Sequence, residues 1–132
     1  MKSTIEQLCQ QVAQNPRRVV LPESTDPRVV DAAKSLAKRQ LAHPILVLSE
    51  PQEIEGVEVV SPSNGELFQR CVQRLVENRK HKGMTVEQAG EAVADPVYFG
   101  ALLVSLGFAD AAVAGSIAAT AHVVRSVLHC IG

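Results

Sequence analysis

The sequence predicts an α/β fold: a parallel sheet covered by helices on both faces. Three observations carry this. Four short apolar runs alternate with segments whose apolar residues recur at helical spacing. The runs are continuously apolar rather than alternating, as in strands buried on both sides. Proline, glycine and short polar residues close most of them, as turn chemistry requires.

Taken in order, Ile5, Leu8, Cys9 and Val12 mark an amphipathic helix ending near Asn15-Pro16. Arg18-Val19-Val20-Leu21-Pro22 reads as a buried strand closed by proline. Asp26 then suits an N-cap and Pro27 a first helical residue, with Val29, Val30, Ala33, Leu36, Ala37 and Leu41 on one helix face. Pro44 to Leu48 is a second buried strand, with Pro44 expected only at its start. Val57 to Val60 is a third, stopped by Ser61-Pro62-Ser63-Asn64-Gly65. A long helix follows to about Arg79, turning Leu67, Phe68, Cys71, Val72 and Leu75 inward. Thr85 and Gln88 have capping-box spacing and open another helix. Pro96 to about Leu106 is a helix ended by Gly107, Asp110 to Ala114 a fourth strand, and Thr120 to Ile131 a last helix.

At 132 residues the chain is a single domain, with no internal repeat or linker. Apolar residues make up 46% and charged residues 20%, which excludes disordered and low-complexity classes. A net charge of −1 gives no global field for nucleic acid or an anionic membrane, so anion binding requires a local cluster. With no Trp, one Tyr and three Phe, all in apolar runs, there is no stacking platform for single strands. The three cysteines, Cys9, Cys71 and Cys130, form no Cys-x-x-Cys pair. Each falls on the apolar phase of a helix, so buried reduced thiols and a cytoplasmic setting are expected. The first residues lack the apolar stretch of a signal peptide, and the longest apolar run, Val97 to Phe108, is too short to span a bilayer. No membrane partner is expected.

In such folds ligands bind at the carboxyl ends of strands, which here are the loops Pro22–Asp26, Ser49–Glu53, Ser61–Gly65 and Gly115–Thr120. The last is the most telling. Gly115 and Ser116 precede a helix start at Thr120, where unpaired N–H groups suit phosphate, and Arg125 in the second turn could add a bidentate guanidinium. Thr120 serves equally as a plain N-cap and Arg125 as a surface charge. A second candidate, Arg79-Lys80-His81-Lys82-Gly83, is strongly basic in a neutral chain, although basic residues and glycine are also ordinary helix C-terminal chemistry. In the third, Leu21 to Arg28, Glu23 is a base only if it faces a pocket. The histidines His43, His81, His122 and His129 share no ligand spacing, so no metal is expected. No Gly-x-Gly-x-x-Gly or Walker loop occurs.

Val20-Leu21-Pro22-Glu23 with Asp26-Pro27-Arg28-Val29, then Arg79-Lys80-His81-Lys82-Gly83-Met84-Thr85, Asp95-Pro96-Val97-Tyr98-Phe99-Gly100-Ala101, and Gly115 through Thr120 to Arg125 resemble the N-terminal part of phosphate acetyltransferase (phosphotransacetylase). The likeness covers nearly the whole chain in order. It implies acyl transfer between coenzyme A and inorganic phosphate (acetyl-CoA and phosphate against acetyl phosphate and CoA). It also implies the first part of one of two α/β domains flanking a cleft, as in isocitrate and isopropylmalate dehydrogenases. Arg79 and Arg125 are then the two N-terminal arginines of that cleft, with Gly115, Ser116 and Thr120 beside the phosphate. Arginines offset phosphate charge, while the attacking thiol needs its pKa lowered. Coenzyme A enters as substrate, and no other cofactor is implied.

Two departures narrow the resemblance. Many members carry a histidine and a hydroxyl pair where this chain has Ala118, Ala119 and Thr120, an aspartate at His122 and a proline at Ser126. Thr120-Ala121 and the absent proline look more like the ethanolamine-utilisation branch. The family's catalytic serine, its neighbouring arginine and the aspartate assisting thiol deprotonation belong to a C-terminal segment outside these 132 residues, as does the second domain. The expectation is an incomplete site: anion contacts, no catalytic residue in this chain, no turnover alone, and self-association through uncovered apolar surface. Two further readings are a non-catalytic CoA- or phosphate-binding or assembly module of the same fold, and a phosphate butyryltransferase-like enzyme.

Overall fold

The computed structural model describes residues 3–50, 52–62, 65–115 and 120–131. In chain order they form α1 (Thr4–Gln14), β1 (Arg17–Leu21), α2 (Pro27–Lys38), β2 (Ala42–Val47), β3 (Glu58–Val60), α3 (Gly65–Arg79), a 3-10 turn (Lys80–Lys82), α4 (Val86–Val93), α5 (Pro96–Ser105), β4 (Ala111–Ala112) and α6 (Thr120–Cys130). The sheet order is β3-β2-β1-β4 and every pairing is parallel. Alternate residues feed its two faces. Val20, Ile45 and Val47 pack with Cys71, Leu75, Phe99 and Leu102 beneath α3, α5 and α6, whereas Leu21 and Leu46 pack with Ala33 of α2. The α/β architecture is therefore as the sequence predicts.

Local signals hold well. The Asp26 carboxylate accepts from the Arg28 N–H at the start of α2, with Pro27 behind it. The Thr85–Gln88 capping box forms both of its hydrogen bonds. Helix α5 is buried from Val97 to Leu103, consistent with a helix apolar on all sides. It lies so close to the loop after β1 that a Cβ on Gly100 would sit 3.0 Å from the Pro22 Cβ.

Three expectations change. Pro44 is the third residue of β2, not its first. The Leu48 N–H bonds the Val60 carbonyl, so the two-residue period turns the Pro44 nitrogen toward β3 as well. Pairing with β3 begins only at Ile45, and the missing N–H forfeits no ladder bond. Second, β4 is an exposed edge rather than a buried strand. Bonds from the Asp110 N–H to the Arg18 carbonyl and from the Val113 N–H to the Val20 carbonyl extend its pairing to either side. Third, α1 is amphipathic but uncovered: Ile5 and Leu8 are 73% and 55% exposed, and Cys9 is only half-buried. Cys71 and Cys130 are fully buried, as expected. Among the described residues no helix is long and apolar enough to cross a membrane.

Candidate functional site

The loop after β1 is ordered from within. The Ser24 hydroxyl donates to the Leu21 carbonyl at 2.8 Å and accepts from the Val47 N–H at 2.9 Å, joining the carboxyl ends of β1 and β2. Beside it the Glu23 side chain is buried, and its carboxylate accepts from the Gly115 N–H. Gly115 has φ +115°, a conformation glycine alone adopts readily. Two strand-end loops are thereby clasped together at the end of the sheet where such folds place ligands. Ser116, expected beside Gly115, lies outside the described residues. Thr120 opens α6 and is exposed.

A second group forms where α3, α5 and α6 meet. Asp95 caps α5, one carboxylate oxygen accepting from the Val97 N–H at 2.8 Å while the other lies 2.9 Å from His122 Nε2. One turn on, the Tyr98 hydroxyl is 3.0 Å from His129 Nδ1. The Tyr98 ring stands between both imidazoles, at 5.7 Å from His122 and 5.9 Å from His129. Asn78 donates its amide to the Cys130 carbonyl at 2.7 Å, tying the end of α3 to the end of α6.

Arg79 and Arg125 flank this group. Arg79, the last residue of α3, follows Asn78 directly, and Arg125 occupies the turn of α6 between the two histidines. Burial, then Arg79 and Arg125, hold His129 below the usual histidine value. Tyr98 is raised, chiefly by burial, and both guanidinium groups act on it in the opposite sense. Two arginines 46 residues apart thus bear on one tyrosine–histidine pair. Among the described residues neither has an ion-pair partner, and the buried Arg79 Nε has no hydrogen-bond partner. Arg125 itself is exposed to solvent, one helical turn before His129 on α6. Lys80 and Lys82 remain exposed on the 3-10 turn.

Sequence reasoning gave Asp95, His122, Tyr98, His129 and Asn78 no role in the site, although Asp95 and Tyr98 fall in the motif that carries the resemblance and His122 at one of its departures. Among the described residues no group of three or more His, Cys, Asp or Glu could hold an ion. The available signal was helical phase. His122, Arg125 and His129 share a face of α6, and Asp95 and Tyr98 share one of α5.

A family model described as phosphate acetyl/butaryl transferase matches residues 3–132. The phosphate acetyltransferase of Acetivibrio thermocellus is 36% identical over 98% of this chain and 41% of its own length. That of Bacillus subtilis is 34% identical over 98% and 42%. Among solved structures, a phosphotransacetylase from Streptococcus pyogenes superposes with TM-score 0.84 at 28% identity, covering 98% of this chain and 43% of the other. EutD phosphotransacetylase from Staphylococcus aureus gives 0.83 at 34%, covering 96% and 41%. The chain spans about two-fifths of the length of these relatives.

Proposed function

The chain belongs to the phosphate acetyl/butaryl transferase family, and from that premise we propose that it carries the anion-holding part of a site exchanging an acyl group between coenzyme A and inorganic phosphate. What supports this most is the placing of the two arginines: Arg79 follows Asn78, whose amide bonds the Cys130 carbonyl, and Arg125 lies one helical turn before His129, neither with an ion-pair partner among the described residues. In this reading the two guanidinium groups bind the phosphate oxygens of CoA or of the acyl phosphate, and Gly115, Ser116 and Thr120 line the approach. Their positive charge offsets the phosphate as the thiolate attacks acetyl phosphate, releasing phosphate and leaving acetyl-CoA. No cofactor besides the CoA substrate is required. The groups that deprotonate the thiol are not among these residues, so the chain alone binds and does not turn over. We place the reaction in the cytoplasm, where three unpaired cysteines remain reduced.

Calorimetric titration of CoA into the chain, with an assay for acetyl-CoA formed from acetyl phosphate, tests the reading. CoA binding abolished by Arg79→Ala, with no turnover, is expected. Turnover by the 132-residue chain would refute the division of labour, and absence of CoA binding would refute the site.

A second reading, assembly, is favoured by one specific observation. Val124, Val127, Leu128 and Ile131 leave an exposed apolar stripe on α6, beside the uncovered edge of β4. We propose that this stripe pairs with a second copy of the chain. Acyl-group choice between acetyl and butyryl follows from neither reading.

A further inference from the structure

His129 is half-buried in the last turn of α6, its Nδ1 turned to the Tyr98 hydroxyl at 3.0 Å. The charged and titratable groups around this pair are Arg79 from α3, Asp95 from α5, and Arg125, His122 and Cys130 from α6. Burial pushes the Cys130 thiol up to about 12, so it stays neutral. Asp95 is engaged with His122. Arg125 lies one helical turn before His129 on α6, and Asn78, the neighbour of Arg79, bonds the carbonyl of Cys130, so burial first and then these two guanidinium groups lower the His129 imidazole from its usual value. In the tautomer that carries its proton on Nε2, neutral His129 accepts the Tyr98 hydroxyl proton at Nδ1.

An anion between the arginines would reverse this balance. It cancels the repulsion that adds to burial in lowering the ring's proton affinity, and the carbonyl end of α6 already favours a cation in that turn. We propose that His129 is a third cationic member of the site formed with Arg79 and Arg125, taking up one proton from solvent when a phosphoryl-type dianion binds. From the Nε2–H tautomer the proton adds to Nδ1, and the Tyr98 hydroxyl rotates from donating to accepting. The inference rests on reading the two arginines as an anion site. Linkage makes it reciprocal: the anion raises the histidine's proton affinity by the factor by which protonation raises anion affinity.

The experiment is residue-resolved NMR titration of the histidines in the unmodified chain, with and without saturating sulfate. Sulfate stays a dianion throughout the histidine range, so any proton gained goes to the protein. The His129 midpoint should rise by about one pH unit, and sulfate affinity should fall about tenfold from the acidic to the alkaline side. Inorganic phosphate should compete with sulfate, and His129→Gln should bind sulfate with the pH dependence flattened. Sulfate binding that Arg79→Ala weakens, with an unmoved His129 midpoint, would overturn the inference and leave the arginine site standing. Absence of sulfate binding would overturn both. The unmodified chain decides the matter even if His129→Gln fails to fold.

Discussion

Ser24 is polar and buried, and a hydroxyl in that position must satisfy backbone or destabilise the fold. It closes its own loop at the Leu21 carbonyl and also receives the Val47 N–H, which β1 no longer reaches. Ser24→Ala should destabilise the chain by about 1–3 kcal/mol in urea unfolding, because the Val47 N–H is left buried without a partner. A cost below a few tenths would mean that the loop relaxes to let water in. This bond could not be read from sequence, nor could the Glu23 carboxylate's grip on Gly115, because their partners lie 23 and 92 residues away. The sequence reading stopped at Glu23 as a base only if it faced a pocket. Arg79 and Arg125 were legible as candidates, since glycine, hydroxyls and basic residues at helix ends are local patterns. That they share one cleft came from the resemblance alone, and the Tyr98–His129 contact near them was not legible.

At the scale of elements, local chemistry set boundaries reliably wherever a cap was present. Asp26, Thr85 and Asp95 each begin a helix through a side-chain bond to backbone within the first turn. Boundaries governed by a neighbour were less legible. Pro44 lies within β2 because β1 pairs back to Ala42, while β3 reaches only Ile45 and asks no bond of it, and whether β4 is buried depends on what lies beyond it. Asp95 has two duties that variants separate. Asp95→Asn keeps a good N-cap and loses the carboxylate facing His122, a half-buried but solvent-screened pair whose removal should cost about 1 kcal/mol or less. Asp95→Ala loses the cap as well and should cost about 1–2 kcal/mol by thermal denaturation. Equal losses from the two would assign the stability to the His122 contact instead.

Across the whole molecule the two faces of the sheet are unequally furnished. Helices α3, α5 and α6 bury one side, whereas α2 alone closes most of the other. Between α5, α6 and β4 runs an apolar groove of about 330 Å³, bordered by Pro22, Ala101, Val113 and Val127, and among the described residues none of its lining side chains is charged. Together with the stripe on α6 it is more apolar surface than isolated exposed residues would give. Sedimentation velocity should show concentration-dependent association that Val127→Lys with Leu128→Lys abolishes. A chain monomeric at all concentrations would remove the pairing proposal without touching the anion site. The arginines answer to a different test, a double-mutant cycle of phosphate affinity measured by calorimetry on the unmodified chain, Arg79→Ala, Arg125→Ala and the double variant. If both guanidinium groups grip one anion, each single variant should weaken binding about tenfold or more, and the double variant should lose less than the two losses combined. Strictly additive losses, or an Arg125→Ala chain that binds phosphate unchanged, would contradict the shared site on which the account depends.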